Sequence, residues 1–346
     1  MKALTVMAPN DVRLIDVKKP AVGPKDVLSR VKYCGVCGTD AAIISGDISF
    51  VRDGLIKYPV RIGHEWSGIV EEVGSEVNNF KPGDRVVGDD SVVCGECRNC
   101  MEGNYGICES GRGVGTINCW DGAFAEYMLM PARQMYKLPD SIPLDEAALI
   151  EPAAIAYNGL KQSNIRPGTK ILIIGTGPIG LAAVGLAKSM GATGVYVSGR
   201  KDVKLQIGKI MGADVLVNST KVDLKGVIAQ CTGGKGVDVV LETSGNIDTI
   251  QQAMDVVRPG GIVTLIGFYE KALNSFNIDK VTINSITIKG VNGTANAFPP
   301  VIDLMEAGRL TLKPLVTDTY AFEHVMSALK AVDEKSATRI KVLVEF

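Results

Sequence analysis

A short glycine-rich segment around residue 37 combines side chains that can do chemistry. Cys37, Thr39 and Asp40 place a thiol, a hydroxyl and a carboxyl group within four residues, and Cys34 adds a second thiol just upstream. Such a loop can bring a sulfur ligand, a hydroxyl and an acid close to one point. Whether that point is a metal, a disulfide or nothing depends on what the rest of the chain brings to it.

His64 is one of only two histidines in the chain. A lone histidine is more often structural than a metal ligand. This one lies between Gly63 and Glu65, downstream of the cysteine-bearing segment, and zinc readily takes thiolate and imidazole ligands together. Cys37 and His64 are therefore candidate zinc ligands, and a third ligand has to come from elsewhere in the sequence.

Glu151 is a single acid in an otherwise apolar run, residues 147–154. An isolated carboxylate among apolar residues is costly unless it is paired or binds a metal. The alternative is an acid that begins a helix just before Pro152, where the helix dipole favours it. The local sequence does not separate these two interpretations.

Four further cysteines follow the spacing C-x2-C-x2-C-x7-C, namely Cys94, Cys97, Cys100 and Cys108. Four thiolates this close can surround one zinc ion tetrahedrally, as in structural zinc sites. An iron–sulfur cluster uses similar spacing, but the proline that often follows the last ligand in bacterial ferredoxins is missing. Chance clustering of unliganded thiols is the other alternative. A zinc ribbon for nucleic acid is disfavoured, because Arg98 and Arg112 are too few basic neighbours.

A glycine motif for nucleotide binding begins after the apolar, β-branched run of residues 170–174. The motif G-x-G-x-x-G consists of Gly175, Thr176, Gly177, Pro178, Ile179 and Gly180. A helical pattern follows it, so strand, turn and helix stand in the order that a pyrophosphate-binding turn requires. The alternative is a glycine-rich connection without a nucleotide.

The end of the next predicted strand bears on the choice of cofactor. It is formed by Ser198, Gly199, Arg200 and Lys201, and no acid occurs before Asp202. NAD enzymes usually carry Asp or Glu here, whereas Arg and Lys bind a 2′-phosphate. The sequence therefore favours NADP(H) over NAD(H). The alternative is two solvated charges that open the next helix, with NAD held mainly through its pyrophosphate.

Size and composition exclude several other classes of protein. The chain has 346 residues, which favours two domains, and its net charge of −1 gives no basic field for nucleic acid. The N-terminus lacks the pattern of a signal peptide. The most apolar run, residues 171–190, is broken by glycines and Pro178, so no membrane span is expected. Clustered thiols without a signal peptide indicate a metal site in a reducing, cytoplasmic compartment.

Together, these features resemble the zinc-containing medium-chain dehydrogenase/reductase family over nearly the whole chain. The order and separation of the cysteine, histidine, Glu151-Pro152 and glycine motifs carry the resemblance. It implies an α/β protein with a GroES-like, mostly-β catalytic domain and a Rossmann cofactor domain with a doubly wound parallel sheet. Short strands and turns before residue 150, and alternating strands and helices after 165, agree with this. We assign residues 1–153 and 296–346 to the catalytic domain and 154–295 to the Rossmann domain.

The resemblance also implies roles for individual residues. Cys37, His64 and Glu151 would hold a catalytic zinc, with a fourth position left for water or the substrate oxygen. Glu65 is implied as an alternate ligand, and Asp40 as the acceptor of a hydrogen bond from His64. Glu151 in place of a second cysteine is similar to the polyol, threonine and bacterial secondary-alcohol branches of the family.

The implied reaction is a zinc-assisted hydride transfer between an alcohol carbon and C4 of the nicotinamide. Thr39 resembles the family hydroxyl that begins proton release. Some members continue the relay with a histidine, and this chain has Ala42 at that position. We therefore expect protons to leave through ribose hydroxyls or water, helped by Glu65. Cys34 then becomes a packed free thiol.

The sequence leaves the substrate open. We expect a secondary alcohol, a polyol or the corresponding ketone, one catalytic and one structural zinc per chain, and a homotetramer, with a dimer as the alternative. The charged loop of residues 46–58 indicates a hydroxylated or charged substrate if it borders the site, and is otherwise a solvated loop. The competing hypotheses are an NAD-linked sorbitol- or threonine-type dehydrogenase and a non-enzymatic regulator that binds NADPH or zinc.

Overall fold

The computed structural model describes residues 1–334 and 336–346. In chain order, its strands are β1 (Lys2–Ala8), β2 (Asp11–Asp16), β3 (Asp26–Val36), β4 (Glu65–Val73), β5 (Arg85–Gly88), β6 (Ser91–Val92), β7 (Arg112–Gly113), β8 (Tyr127–Pro131), β9 (Met135–Lys137), β10 (Lys170–Ile174), β11 (Gly194–Gly199), β12 (Val215–Asn218), β13 (Val237–Glu242), β14 (Val257–Leu265), β15 (Thr287–Gly290), β16 (Val316–Ala321) and β17 (Lys341–Glu345). The α-helices are α1 (Gly38–Ser45), α2 (Ser49–Arg52), α3 (Arg98–Met101), α4 (Leu144–Ala147), α5 (Ile150–Gln162), α6 (Pro178–Ser189), α7 (Asp202–Ile210), α8 (Leu224–Thr232), α9 (Asp248–Val256), α10 (Asp279–Ile283), α11 (Phe298–Glu306) and α12 (Val325–Asp333). Short 3₁₀ turns occur at Tyr105–Ile107, Ala132–Gln134, Lys313–Leu315 and Phe322–His324.

The chain divides into two compact units. The first unit contains Met1–Glu151, Gly293–Glu306 and Val316–Phe346, and the second contains Pro152–Asn292 and Ala307–Leu315. The nine residues from 307 to 315, which the sequence assignment kept with the catalytic domain, thus join the second unit. The assignment of domains stays a prediction, because compactness alone does not show that a unit folds by itself.

The first unit is built on a seven-stranded sheet. Its order is β16-β17-β3-β4-β5-β9, and β8 also pairs with β3. The eleven-residue strand β3 pairs antiparallel with β4, β8 and β17, and seven of its residues are buried. Large apolar side chains, among them Trp66 and Phe124, complete this core. The loop that leaves the end of β3 is therefore anchored by a well-packed sheet.

Strand register gathers distant residues at one end of this sheet. Cys37 follows β3 directly, Glu65 begins β4, and Lys341 begins β17. Gly35 pairs with Glu65, and the start of β17 pairs with the same end of β3. Because Cα atoms of paired antiparallel residues lie about 4.5–5.5 Å apart, the sheet brings three polar side chains from separate parts of the sequence together.

The second unit is a parallel, six-stranded sheet in the order β12-β11-β10-β13-β14-β15. All residues of β10 except the first are buried, as expected for a strand covered on both faces. The strand order reverses between β10 and β13, and ligands of such sheets bind at the carboxyl ends of the strands at this point. The predicted α/β class, with a mostly-β part and a doubly wound parallel sheet, is confirmed. Within residues 1–334 and 336–346, no helix has the length and apolar character needed to cross a membrane.

Candidate active site and metal centres

Cys37, His64 and Glu65 form a compact cluster in the first unit. One sulfur, one ring nitrogen and one carboxylate oxygen of these residues all lie within 4.8 Å of one another. His64 and Glu65 are buried, and Cys37 is half-buried at the N-cap of α1. Zinc binds thiolate, imidazole and carboxylate ligands, so the donor set fits this metal.

Asp40 is completely buried next to this cluster but does not hold His64 as predicted. Its carboxylate accepts hydrogen bonds from the backbone N–H of Cys37 at 2.9 Å and of Gly63 at 3.3 Å. The Nδ1 atom of His64 lies 3.8 Å from the carboxylate and has no hydrogen-bond partner among the residues described. The predicted hydrogen bond between Asp40 and His64 is therefore wrong, because 3.8 Å exceeds hydrogen-bond range. Asp40 instead joins the Cys37 and His64 segments through their backbones.

Lys341 pairs with Glu65 in the interior. Its Nζ atom lies 2.7 Å from one carboxylate oxygen of Glu65 and 2.5 Å from the other. The ammonium group also donates to the backbone carbonyl of Val36 at 3.0 Å. Both side chains are nearly inaccessible to solvent, with 3% and 2% of their surface exposed. Lys341 thus neutralises one acid of the cluster.

Glu151 is buried in the first turn of α5 and lies outside the cluster as defined by the 4.8 Å separation. Burial raises the pKa of Glu151 well above its ordinary value, the charge of His64 opposes this, and Asp90 and Glu65 raise the pKa further. Its carboxyl group therefore lies near enough to feel the charges of the cluster. The structure brings Cys37 together with His64 and Glu65, and Glu151 is not a member of that mutual 4.8 Å set.

The cluster favours positive charge. Burial lowers the pKa of His64, but the negative charges of Cys37 and of neighbouring carboxylates outweigh it, so that the pKa lies well above its ordinary value. For Lys341, burial again lowers the pKa, but the negative charges of Glu65 and Cys37 outweigh this effect. The pKa of Lys341 therefore lies above its ordinary value. A site that stabilises two protonated bases has a negative potential, and this potential also attracts a metal cation.

The first turn of α1 provides a hydroxyl beside the cluster. Thr39 is half-buried two residues after Cys37, and its hydroxyl has no hydrogen-bond partner in the described part of the chain. Ala42 lies on the same helix and packs against the core. The hydroxyl of Thr39 is therefore available to a bound molecule, and Ala42 offers no proton-transfer group.

The four cysteines of the second set also converge. The sulfur atoms of Cys94, Cys97, Cys100 and Cys108 all lie within 4.8 Å of one another. Cys94 Sγ is 3.8 Å from Cys100 Sγ and 3.6 Å from Cys108 Sγ. Two sulfurs bound to tetrahedral zinc at about 2.3 Å lie about 3.8 Å apart, so these separations fit the metal. Backbone N–H groups of Glu96 and Cys97 lower the pKa of Cys94 to about 6, which favours the thiolate that zinc requires.

The glycine turn of the second unit can accommodate a phosphate group. Gly175 has φ +119°, and a Cβ atom there would lie 2.5 Å from Thr243 Oγ1. A Cβ atom on Gly180 would clash with the carbonyl of Gly175, whereas the position above Gly177 is open. α6 begins at Pro178, so the free N–H groups of its first turn face this opening and favour an anion.

The carboxyl end of β11 lies beside the same turn. Ser198 is buried, and Gly199 leaves room for Thr176, which a Cβ atom on Gly199 would contact at 2.5 Å. Arg200 and Lys201 are exposed immediately after the strand. Among the residues described, neither of these two side chains has a hydrogen-bond or ion-pair partner. Two free cations are therefore available where the ribose of a dinucleotide is usually read.

Comparisons with known proteins agree with both sites. Residues 23–140 match the alcohol dehydrogenase GroES-like domain, and residues 178–307 match the zinc-binding dehydrogenase domain. The chain is 33% identical over 344 residues to sorbitol dehydrogenase of Bacillus subtilis (strain 168), which covers 99% of this chain and 97% of that protein. The chain belongs to the zinc-dependent medium-chain dehydrogenase/reductase family. It is therefore an enzyme, an oxidoreductase of the alcohol and polyol dehydrogenase type.

Solved structures of similar proteins share the fold of this zinc-binding dehydrogenase. A protein named as a zinc-binding dehydrogenase from Sinorhizobium meliloti 1021, bound to NADP, has a TM-score of 0.91 and 29% identity, covering 100% of this chain and 99% of its own. A protein named as a short-chain alcohol dehydrogenase (rspB) of Escherichia coli CFT073, complexed with NADH, has a TM-score of 0.92 and 29% identity over the same shares. Similar folds thus hold either cofactor.

Two features of this dehydrogenase were missed in the sequence. Lys341 begins the last strand like many flanking lysines, and only its pairing with Glu65 shows its role. The second is Lys221, whose ammonium binds the carboxylate of Asp202 from 19 positions away in the chain. The local signal at Lys341 is a charged residue that precedes three consecutive apolar residues in the same strand.

Proposed function

We propose that this dehydrogenase reversibly transfers a hydride between a secondary alcohol or polyol, or the corresponding ketone, and NADP(H). The observation that carries the proposal is the buried cluster of Cys37, His64 and Glu65, which unites thiol, imidazole and carboxylate donors. The relative named sorbitol dehydrogenase supports a hydroxylated substrate.

We infer that Cys37 and His64 hold the catalytic zinc together with a carboxylate. Both carboxylate oxygens of Glu65 already lie against the ammonium group of Lys341. Glu151 is therefore the better resident ligand, and Glu65 is the alternate one. The second set of cysteines, Cys94 to Cys108, holds a structural zinc. When bound, the catalytic zinc acts as a Lewis acid that acidifies an alcohol and polarises a carbonyl.

Thr39 is the proposed first acceptor of the substrate proton. Thr39 is half-buried and follows Cys37 by two residues, and its hydroxyl has no hydrogen-bond partner among residues 1–334 and 336–346. Because Ala42 offers no imidazole, Thr39 would pass the proton on to water or to a ribose hydroxyl of a bound cofactor. Removing only the hydroxyl, in Thr39→Val, should lower kcat more than it raises KM.

The preference for NADP(H) rests on the residues after β11. Arg200 and Lys201 are exposed there and have no ion-pair partner in the part of the chain that the structure describes, and both bind phosphate well. Arg200→Ala should raise the Kd of NADPH by about tenfold to a hundredfold, since hydrogen bonds to charged groups contribute about 1.5–3 kcal/mol. NADH should be affected far less. Arg166→Ala, an exposed arginine before β10, is the matched control.

One experiment tests the activity itself. Polyols, sugars, secondary alcohols and L-threonine are assayed with NADP+ and NAD+ side by side, for the native enzyme and for Cys37→Ala. Activity should require Cys37, and Cys231→Ala, a partly buried thiol in the second unit, should retain it. A fully active Cys37→Ala enzyme would exclude the proposed site.

The same assay separates the competing hypotheses. Turnover of sorbitol or threonine with NAD+ alone would favour an NAD-linked dehydrogenase of those types. Binding of NADPH without turnover of any alcohol or ketone would favour a regulator on the same fold. We further infer a cytoplasmic homotetramer, with a dimer as the alternative; all eight cysteines are free, as a reducing compartment would keep them.

A further inference from the structure

The loops that follow β11 and β12 carry charged side chains. Arg200 and Lys201 follow β11, and Lys221 follows β12. Gly199 at the end of β11 pairs with Asn218 at the end of β12, and the backbone N–H of Ser219 donates to the Gly199 carbonyl at 3.0 Å. The loop after β12 therefore lies directly beside Arg200. It brings Lys221 to the edge of the sheet where the cofactor ribose is read.

One acid lies among these cations. Asp202, the first residue of α7, accepts a hydrogen bond from Asn218 Nδ2 at 2.6 Å. Its other carboxylate oxygen forms an ion pair with Lys221 Nζ at 2.5 Å. Asn218 is itself fixed, because its Oδ1 atom accepts from the N–H and the hydroxyl of Thr220 at 3.0 and 2.7 Å. Each oxygen of the Asp202 carboxylate thus has a partner on the β12 side.

Without these partners, Asp202 would oppose the proposed cofactor choice. A carboxylate near the end of the second strand can accept the ribose 2′-hydroxyl of NAD, and it repels a 2′-phosphate. Residues 199–202 and 218–221 together carry three formal positive charges, on Arg200, Lys201 and Lys221, and one negative charge, on Asp202. Loss of Lys221 would halve the net positive charge of this edge and free one carboxylate oxygen.

We propose that Lys221 is a specificity-determining residue that engages Asp202 and thereby lets this edge select a 2′-phosphate. The inference rests on the proposed preference for NADP(H). It assigns to Lys221 a role through Asp202, distinct from the direct phosphate contacts proposed for Arg200. Since the side chains of Lys221 and Asp202 are 63% and 55% exposed, the ion pair is sensitive to salt, and its removal leaves the core intact.

The test compares Kd values of NADPH and NADH, measured by the change in cofactor fluorescence at low ionic strength. Lys221→Met should raise the Kd of NADPH by about fivefold and leave that of NADH within about twofold. The difference should shrink in 0.5 M salt, since the Debye length falls to a few ångströms. Lys188→Met is the matched control, because Lys188 pairs with Asp214 at 2.9 Å at the opposite, amino end of β12.

A second variant decides how Lys221 acts. In Lys221→Met/Asp202→Asn the repelling charge is gone, so NADPH should again bind within about twofold of the native enzyme. Asp202→Asn alone should bind NADPH at least as tightly as the native enzyme. Failure of the double variant to recover, or equal weakening of both cofactors by Lys221→Met, overturns the inference. A native enzyme that binds NADH as tightly as NADPH would instead refute the proposed cofactor, and the inference with it.

Discussion

The Glu65 carboxylate and the Lys341 ammonium form a buried ion pair that joins the start of β4 to the start of β17. These strands are not neighbours, and both pair with β3, whose end leads into Cys37. The ion pair therefore closes the end of the sheet at which the candidate active site lies. Removing either partner would leave one charge uncompensated in an environment with almost no solvent.

Lys341→Met should destabilise the protein strongly. Removal of one partner of a buried ion pair typically costs about 3–5 kcal/mol, because the remaining charge stays buried without compensation. Urea unfolding followed by circular dichroism should show a clearly lower midpoint. Glu65→Gln/Lys341→Met should recover much of the loss, since it leaves no unpaired charge. A single variant as stable as the native chain would contradict this account.

A surface pair provides the control for this prediction. Lys137 lies 2.7 Å from a carboxylate oxygen of Asp84, and its side chain is 50% exposed. Exposed pairs contribute about 1 kcal/mol or less, because water screens them and the side chains lose freedom. Lys137→Met should therefore change the unfolding midpoint little, although its ion pair of 2.7 Å is nearly as short as the 2.5 Å of Lys341 and Glu65.

Local spacing explains which parts of the site could be predicted from the sequence. Cys37 and Asp40 belong to one turn, and the four clustered cysteines to one loop, so proximity in sequence implies proximity in space. Lys341 could not be found in this way, because 276 positions separate it from Glu65 and only strand register brings them together. The parallel sheet was predictable for the opposite reason, since β10 is a continuous apolar run and strands alternate with helices after it.

The same limit applies to individual atoms. The family resemblance implies that Asp40 accepts a hydrogen bond from His64, but it could not determine which donors reach the carboxylate in this chain. Backbone N–H groups of Cys37 and Gly63 occupy that carboxylate, and their positions depend on loop geometry. Likewise, the sequence marked Asp202 as an acid beyond the strand, and only the fold shows that Lys221 engages it.

Asp40→Ala should weaken zinc binding at the candidate active site. Its carboxylate fixes the segments of Cys37 and Gly63 relative to each other. Residues that hold metal ligands in place typically contribute about tenfold to a hundredfold to metal affinity, or about 1–3 kcal/mol. Competition with a chromophoric chelator should release one zinc per chain at a correspondingly lower chelator concentration. Asp47→Ala, an exposed acid nearby, should release zinc like the native protein. Unchanged release in Asp40→Ala would show that the loop is held by other contacts.

Cys100→Ser should remove one zinc per chain and leave the other. Cys100 is a buried member of the four-cysteine cluster, and a tetrahedral site with a weak fourth ligand loses affinity and local order. Metal analysis should find about two zinc ions in the native chain and one in the variant. Cys231→Ser, which alters a thiol of the second unit, should retain both ions. Equal metal content in the two variants would exclude the cluster as a zinc site.

The hydrogen bond between Tyr33 and Glu345 predicts that the stability of the protein depends on pH in the alkaline range. The Tyr33 hydroxyl of β3 donates to the Glu345 carboxylate of β17 at 2.9 Å. Burial and this partner raise the pKa of Tyr33 to about 12, from an ordinary value of 10.0. A folded pKa above the unfolded one means that the contribution of Tyr33 to stability is complete below pH 10 and is lost as the pH rises towards 12.

The stability advantage of the native chain over Tyr33→Phe should therefore shrink across this interval. All other tyrosines cancel in that difference, which urea unfolding at a series of pH values measures. Glu345→Gln, which removes the charge of the acceptor, should reduce the slope, and an advantage that stays constant up to pH 12 would contradict the assignment.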